Sequence, residues 1–130
     1  MSKVVDFLNE AKIYYIATVE DDQPRVRPFG AATEYNGKVY LATSNEKDVF
    51  KQFVKNPKIE ISGMAKGKWI RVTGNAVVDE TMDAKKAMLN ANPFLEKTYS
   101  VNDGKLSVFY IDKMKAVVYS FAGEPLELEN

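Results

Sequence analysis

A chain of 130 residues with 45% apolar and 28% charged side chains has the balance of a single globular domain. Its 18 basic and 18 acidic residues cancel, which argues against nucleic acid or an anionic membrane surface as partner. With no Cys and no His there is no thiol nucleophile, no Ser–His triad, no thiolate or imidazole metal site and no His-ligated haem.

Residues 3–11 place Val4, Leu8 and Ala11 on one helical face, so the chain is expected to open on a short amphipathic helix. Charges interrupt its apolar stretch, no secretory signal results, and a cytoplasmic location is expected. Residues 13–19, rich in β-branched and aromatic side chains, predict a strand. A polar turn over 20–24 leads to a second strand over 25–34, made irregular by Pro28 and Gly30. Asn36-Gly37 is a hairpin signal, and 39–43 is the returning strand. Ser44-Asn45 predict the cap of a helix over 46–55, with Val49, Phe50, Phe53 and Val54 on its buried face and Asn56-Pro57 as its stop. A strand over 58–62, a turn over 63–68 and a long strand over 69–79 follow. Trp69, Arg71 and Thr73 share one face of that long strand and Ile70 and Val72 the other. Residues 83–90 are expected to be helical. Between 95 and 106 only a turn at Asn102-Asp103-Gly104 is legible. Two strands, 106–111 and 116–120, and a polar tail from 123 complete the chain. About seven short strands with short links predict an antiparallel, mainly β barrel with helices over its ends.

Candidate chemistry is confined to three places. The only three arginines, Arg25, Arg27 and Arg71, all lie in predicted strands, and Arg25 and Arg27 share a face. Arginine suits bidentate contact with phosphate or carboxylate, though a cross-strand ion pair uses the same geometry. Thr43, Ser44 and Lys47 sit where a strand hands over to a helix, whose N-terminus favours an anion; a plain capped helix is the alternative. Trp69 beside Arg71 offers an aromatic and a cation to a flat ring, or simply half-buried packing. The adjacent acids, Glu20-Asp21-Asp22 and Asp79-Glu80, fall at predicted turns without a calcium-loop pattern, so no metal is expected. The usual glycine-rich nucleotide cradles are also missing, which leaves an organic cofactor as the carrier of any chemistry.

The stretches QPRVRPFG (23–30), VYLATSNEKDVFKQFVKNPKIEISG (39–63) and WIRVTGNAVV (69–78), in this order, resemble the pyridoxamine 5′-phosphate oxidase-like split-barrel flavoproteins, closest to the small single-domain bacterial members grouped with nitroimidazole-resistance proteins. The likeness covers roughly residues 7–121. It implies a Greek-key split β-barrel, a homodimer, and FMN held at the subunit interface. It also implies that Arg25, Arg27, Pro28, Phe29 and Gly30 line the flavin and its phosphate. Thr43, Ser44 and Lys47 then bind the phosphate, with Lys51 as the second choice of cation, while Trp69 and Arg71 close the site, from the other subunit in one version. The oxidase's Arg-x-His substrate motif is absent, so pyridoxine phosphate oxidation is not expected; a deazaflavin in place of FMN remains open. Two functions follow from the same motifs. One is an FMN-dependent oxidoreductase that reduces flavin or small electron-poor substrates. The other is a non-catalytic flavin or small-ligand carrier or sensor. A ligand-free interaction barrel is a third.

Overall fold

The computed structural model describes residues 2–129. Helix α1 (Lys3–Ala11) is capped by Ser2, whose hydroxyl accepts from the Val5 N–H at 3.1 Å, and it buries Val4, Val5 and Leu8. Strands β1 (Tyr14–Glu20) and β2 (Gln23–Phe29) form a hairpin. Strands β3 (Ala32–Tyr35) and β4 (Lys38–Ser44) form a second one, closed by Asn36 and Gly37, both at positive φ as a two-residue primed turn requires. Then come α2 (Asp48–Lys55), β5 (Lys58–Ala65), β6 (Lys68–Asp79), α3 (Met82–Ala91), a 3-10 helix (Pro93–Lys97), β7 (Leu106–Ser120) and β8 (Leu126–Leu128).

The strands join in the order β2-β1-β5-β6-β7-β4-β3, all antiparallel, with β8 added on β7. The sheet curls around a core that includes Leu8, Ile16, Leu41, Phe53, Ile61, Ile70 and Phe109. A second core, with Met88, Leu89, Leu106 and Val108, lies under α3. This is a split β-barrel with three short α-helices, as the sequence predicted.

Several expectations about the elements are corrected. The single strand over 25–34 is two strands, because Gly30-Ala31 carries the chain from β2 at one end of the strand order to β3 at the other. Two prolines survive in β2 because it is an edge strand with one side unpaired. The helix expected from 46 begins at Asp48. Ser44 and Asn45 do not cap it: the Ser44 hydroxyl accepts from the Glu46 N–H, and the Asn45 amide donates to the Gly104 carbonyl. On its buried face Gln52 joins Val49 and Phe53, while Val54 is exposed. The turn placed over 63–68 contracts to Lys66-Gly67, both at positive φ, and β5 runs on to Ala65. Gly63 lies within the strand because a Cβ there would sit 3.1 Å from the Tyr14 Cβ; it marks close packing, not a turn. The two last strands are one continuous β7. Lys113 at positive φ absorbs a kink in it, beside a register shift around Gly74 in β6, so the two long strands bend together. The polar tail contributes β8.

Candidate functional site

The alternation of β1 turns Tyr14, Ile16 and Thr18 inward, and the β1–β2 register places Phe29, Arg27 and Arg25 opposite them on the same face. Both arginines therefore share a face, as their spacing predicted, and through Arg27 that face meets α2. Arg25 is half-exposed and pairs with Glu20 at 3.0 Å. Arg27 is more enclosed. Its Nη1 donates to Thr18 Oγ1 at 2.8 Å and to the Ile16 carbonyl at 3.2 Å, and its Nη2 donates to Gln52 Oε1 at 2.6 Å. Thr18 Oγ1 donates to the same Gln52 oxygen at 2.5 Å. Burial pulls the Arg27 guanidinium below the ordinary arginine range, against the neighbouring Asp48 carboxylate, which favours its charged form.

Arg27 lies between two hollows. The outer one, about 400 Å³, is lined by Glu20, Arg25, Arg27, Lys47 and Asp48 among others, and its charges are mixed. The inner one is a cleft of about 190 Å³ between the end of β2, the end of β4, α2 and the 3-10 segment. Arg27, Lys47 and Thr43 line the inner cleft; no acidic residue does. Thr43 is 4% exposed, and its hydroxyl has no hydrogen-bond partner among the described residues. Directly across β4 and β7 stands Ser107, equally buried and equally unpartnered. Two orphaned hydroxyls cost free energy unless a water or a ligand meets them. Lys47 is the N-cap residue of α2 and makes no capping bond through its side chain, so the first-turn N–H groups of α2 have no side-chain acceptor. A cation, a guanidinium, the start of a helix and a buried hydroxyl thus belong to the lining of one cleft. They fit a phosphate or similar oxyanion. The rest of the lining is largely apolar and aromatic, with Phe29, Ala42, Phe94, Leu95 and Tyr99.

The remaining predicted site residues separate. Pro28, Phe29 and Gly30 line the inner cleft. Ser44 projects to the opposite face of β4 from Thr43, toward the core under α3, and serves its local turn. Lys51 faces a different hollow, with Asp21, Asp48 and Lys55, and does not join Thr43. Trp69 and Arg71 lie on the outer face of β6. Trp69 stacks on Tyr119 with centroids 5.7 Å apart, and Arg71 pairs with Glu60 at 2.9 Å. Pro28, Tyr15, Ser62 and Arg71 form one cross-strand row, so about 14 Å of sheet separates the two motifs. One chain does not bring them together.

Sequence reasoning missed Thr18, Gln52, Ser107 and the aromatic wall of Phe94 and Tyr99. Thr18 and Gln52 did carry a signal, each being a polar residue at an inward position of an otherwise apolar face. The wall had none, because Phe94 lies between predicted elements and Tyr99 in the 95–106 stretch, which has no period.

An antiparallel split barrel with a cleft at its rim defines a class of small domains by its fold. Within that class, residues 1–117 match the pyridoxamine 5′-phosphate oxidase family, and the chain belongs to it. No curated protein matches the chain. A NimC/NimA family protein from Clostridium acetobutylicum is 47% identical, with 97% of this chain and 91% of that one covered at a TM-score of 0.92. The general stress protein 26 of Bacillus anthracis shares the fold at 19% identity, with 97% and 96% covered and a TM-score of 0.73. A pyridoxamine 5′-phosphate oxidase-related, FMN-binding protein from Nostoc punctiforme shares it at 12% identity, with 92% and 88% covered and a TM-score of 0.65.

Proposed function

We propose that this protein is an FMN-dependent oxidoreductase of the cytoplasm, reducing flavins or other small electron-poor acceptors, and that it works as a homodimer with flavin at the subunit interface. The observation that carries the reading is the convergence of Arg27, Lys47, the orphaned Thr43 hydroxyl and the uncapped start of α2 on one cleft whose lining also holds aromatic side chains. That combination suits a flat ring carrying a phosphate. Membership of the family supports a flavin, and the Nostoc relative is described as FMN-binding.

In this reading Arg27, Lys47 and Thr43 hold the phosphate, and Phe29, Phe94 and Tyr99 keep water from the ring. Bound FMN would supply the hydride chemistry, which suits a chain with no His or Cys to act as acid, base or nucleophile. Among the described residues no helix is long and apolar enough to cross a membrane.

Titration of the flavin-free protein with FMN and riboflavin tests the site: FMN is expected to bind at least about ten-fold tighter, the worth of one charge-assisted hydrogen bond. Equal affinities would refute the phosphate assignment. Anaerobic mixing of the FMN-loaded protein with reduced pyridine nucleotide then tests turnover. Bleaching of the flavin absorbance is expected; an unreactive flavin would make the protein a carrier or sensor.

A further inference from the structure

Arg27 is held in an unusual way for a residue meant to meet a ligand. A guanidinium carries five N–H donors in a fixed plane. Here its Nη1/Nη2 end is occupied: Nη1 by Thr18 Oγ1 and the Ile16 carbonyl, Nη2 by Gln52 Oε1. Thr18 and Gln52 are in turn bonded to each other at 2.5 Å, and both are buried, at 1% and 7% exposure. Nε–H has no acceptor among the described residues. The edge left over is therefore the one formed by Nε–H and the second Nη2–H, two parallel donors that match the spacing of two oxyanion oxygens. The clamp also spans three elements. Thr18 is on β1, Arg27 on β2, and Gln52 on α2 a little over one turn beyond Lys47. It fixes the guanidinium relative to the helix terminus that supplies the other half of the anion site.

We propose that Gln52 and Thr18 are positioning residues for a phosphate monoester: gripping Arg27 by one end, they present its free edge as a preoriented fork beside the α2 terminus. The proposal rests on the reading of the cleft as the FMN phosphate site. A free arginine side chain would lose its rotamer freedom at the moment of binding; a clamped one has lost it on folding, so the ligand does not bear that cost.

The test compares Gln52→Leu with the unsubstituted protein by flavin titration, with thermal unfolding as the control for folding. The FMN dissociation constant is expected to rise about three- to ten-fold, the range set by the rotamer entropy of one long side chain. That of riboflavin, which has no phosphate, stays within two-fold, on the order of measurement error. Adding Arg27→Ala to Gln52→Leu should weaken FMN binding less than Arg27→Ala does alone, because part of the arginine's contribution is already gone. If Gln52→Leu does not fold, Thr18→Val, which keeps the shape and removes the Nη1 acceptor, carries the same comparison. Parallel loss of both flavins, or an unchanged FMN constant, overturns the positioning role while leaving the cofactor site standing. An unsubstituted protein that binds FMN and riboflavin equally overturns both, and the two failures are told apart by that first titration.

Discussion

Thr43, to which the proposed function gives a phosphate contact, stands out through a deficit. Its hydroxyl is buried in the split barrel with no partner among the described residues, a situation that costs about 1–3 kcal/mol in a protein interior. Thr43→Val keeps the shape and removes the unpaired group. The flavin-free variant should be more stable by about 1 kcal/mol in urea unfolding, yet bind FMN less tightly. A loss of stability would show that the hydroxyl is already satisfied without a ligand. The two lysines make a second contrast at this scale. Lys47 lines the cleft with Arg27 and Thr43, and Lys51 looks toward Asp21 and Asp48. Lys47→Ala is expected to weaken FMN binding about ten-fold, in the range for a charged hydrogen bond, and Lys51→Ala to leave it within about two-fold. The reverse order, read by the same titration, would put the anion on the other side of α2.

At the scale of elements, the long β6–β7 ribbon depends on two irregularities that meet. Lys113 kinks β7, the register shifts around Gly74 in β6, and the strands stay paired through the bend. A Cβ at position 74 would collide with Ile111 Cγ2 and lie 2.8 Å from the Asp112 carbonyl oxygen. Gly74→Ala should therefore destabilise the protein by about 1–3 kcal/mol, the cost of overpacking, measurable as a lower midpoint of urea unfolding. An unchanged midpoint would mean that β7 has room to shift. The loop that carries the aromatic wall is held by a different device. The Asp103 carboxylate accepts the N–H groups of Ser100, Lys105 and Leu106, while Asn92 donates to the Met88 carbonyl at the far end of the segment. The wall of Phe94 and Tyr99 is thus built on pinned backbone, which suits a ring that must be held in one orientation.

For the whole molecule, the outer face of the β1, β5 and β6 sheet is the outstanding feature. Tyr15 at 50%, Met64 at 59% and Phe121 at 86% exposure stand with Trp69 on a surface that water wets poorly. A second copy of the chain is the occupant the proposed function assigns to it. Two-fold pairing would bury this face and add a wall to a cleft that one chain leaves open. Sedimentation of the flavin-loaded protein is expected to give twice the chain mass. Tyr15→Lys with Met64→Lys should shift it to the monomer and release flavin. A monomer that retains one FMN per chain would remove the shared site, and with it any part for Trp69 and Arg71 in binding.

Local chemistry is written along the chain and was legible there. The Asn36-Gly37 hairpin, the stop at Asn56-Pro57, the alternation that puts Ile70 and Val72 inside and Trp69 and Arg71 outside, and the shared face of Arg25 and Arg27 each depend on neighbours a few residues away. The order of QPRVRPFG, TSNEK and WIRVTG was enough to place the chain in its family. Tertiary structure decided which of those residues meet. Arg27 and Lys47 come together because β2 and α2 converge on the rim of the barrel, whereas Arg71 lies three strands away around the sheet. Thr18 and Gln52 are separated by 34 residues, and only folding turns two unremarkable polar side chains into a clamp. Gly63 reads as a turn residue in the sequence, whereas in the fold it packs against Tyr14, 49 positions earlier in the chain. Periodicity reports the direction in which a side chain points from its own element. What it meets there depends on the pairing of distant strands, and that is set by burial of the whole core.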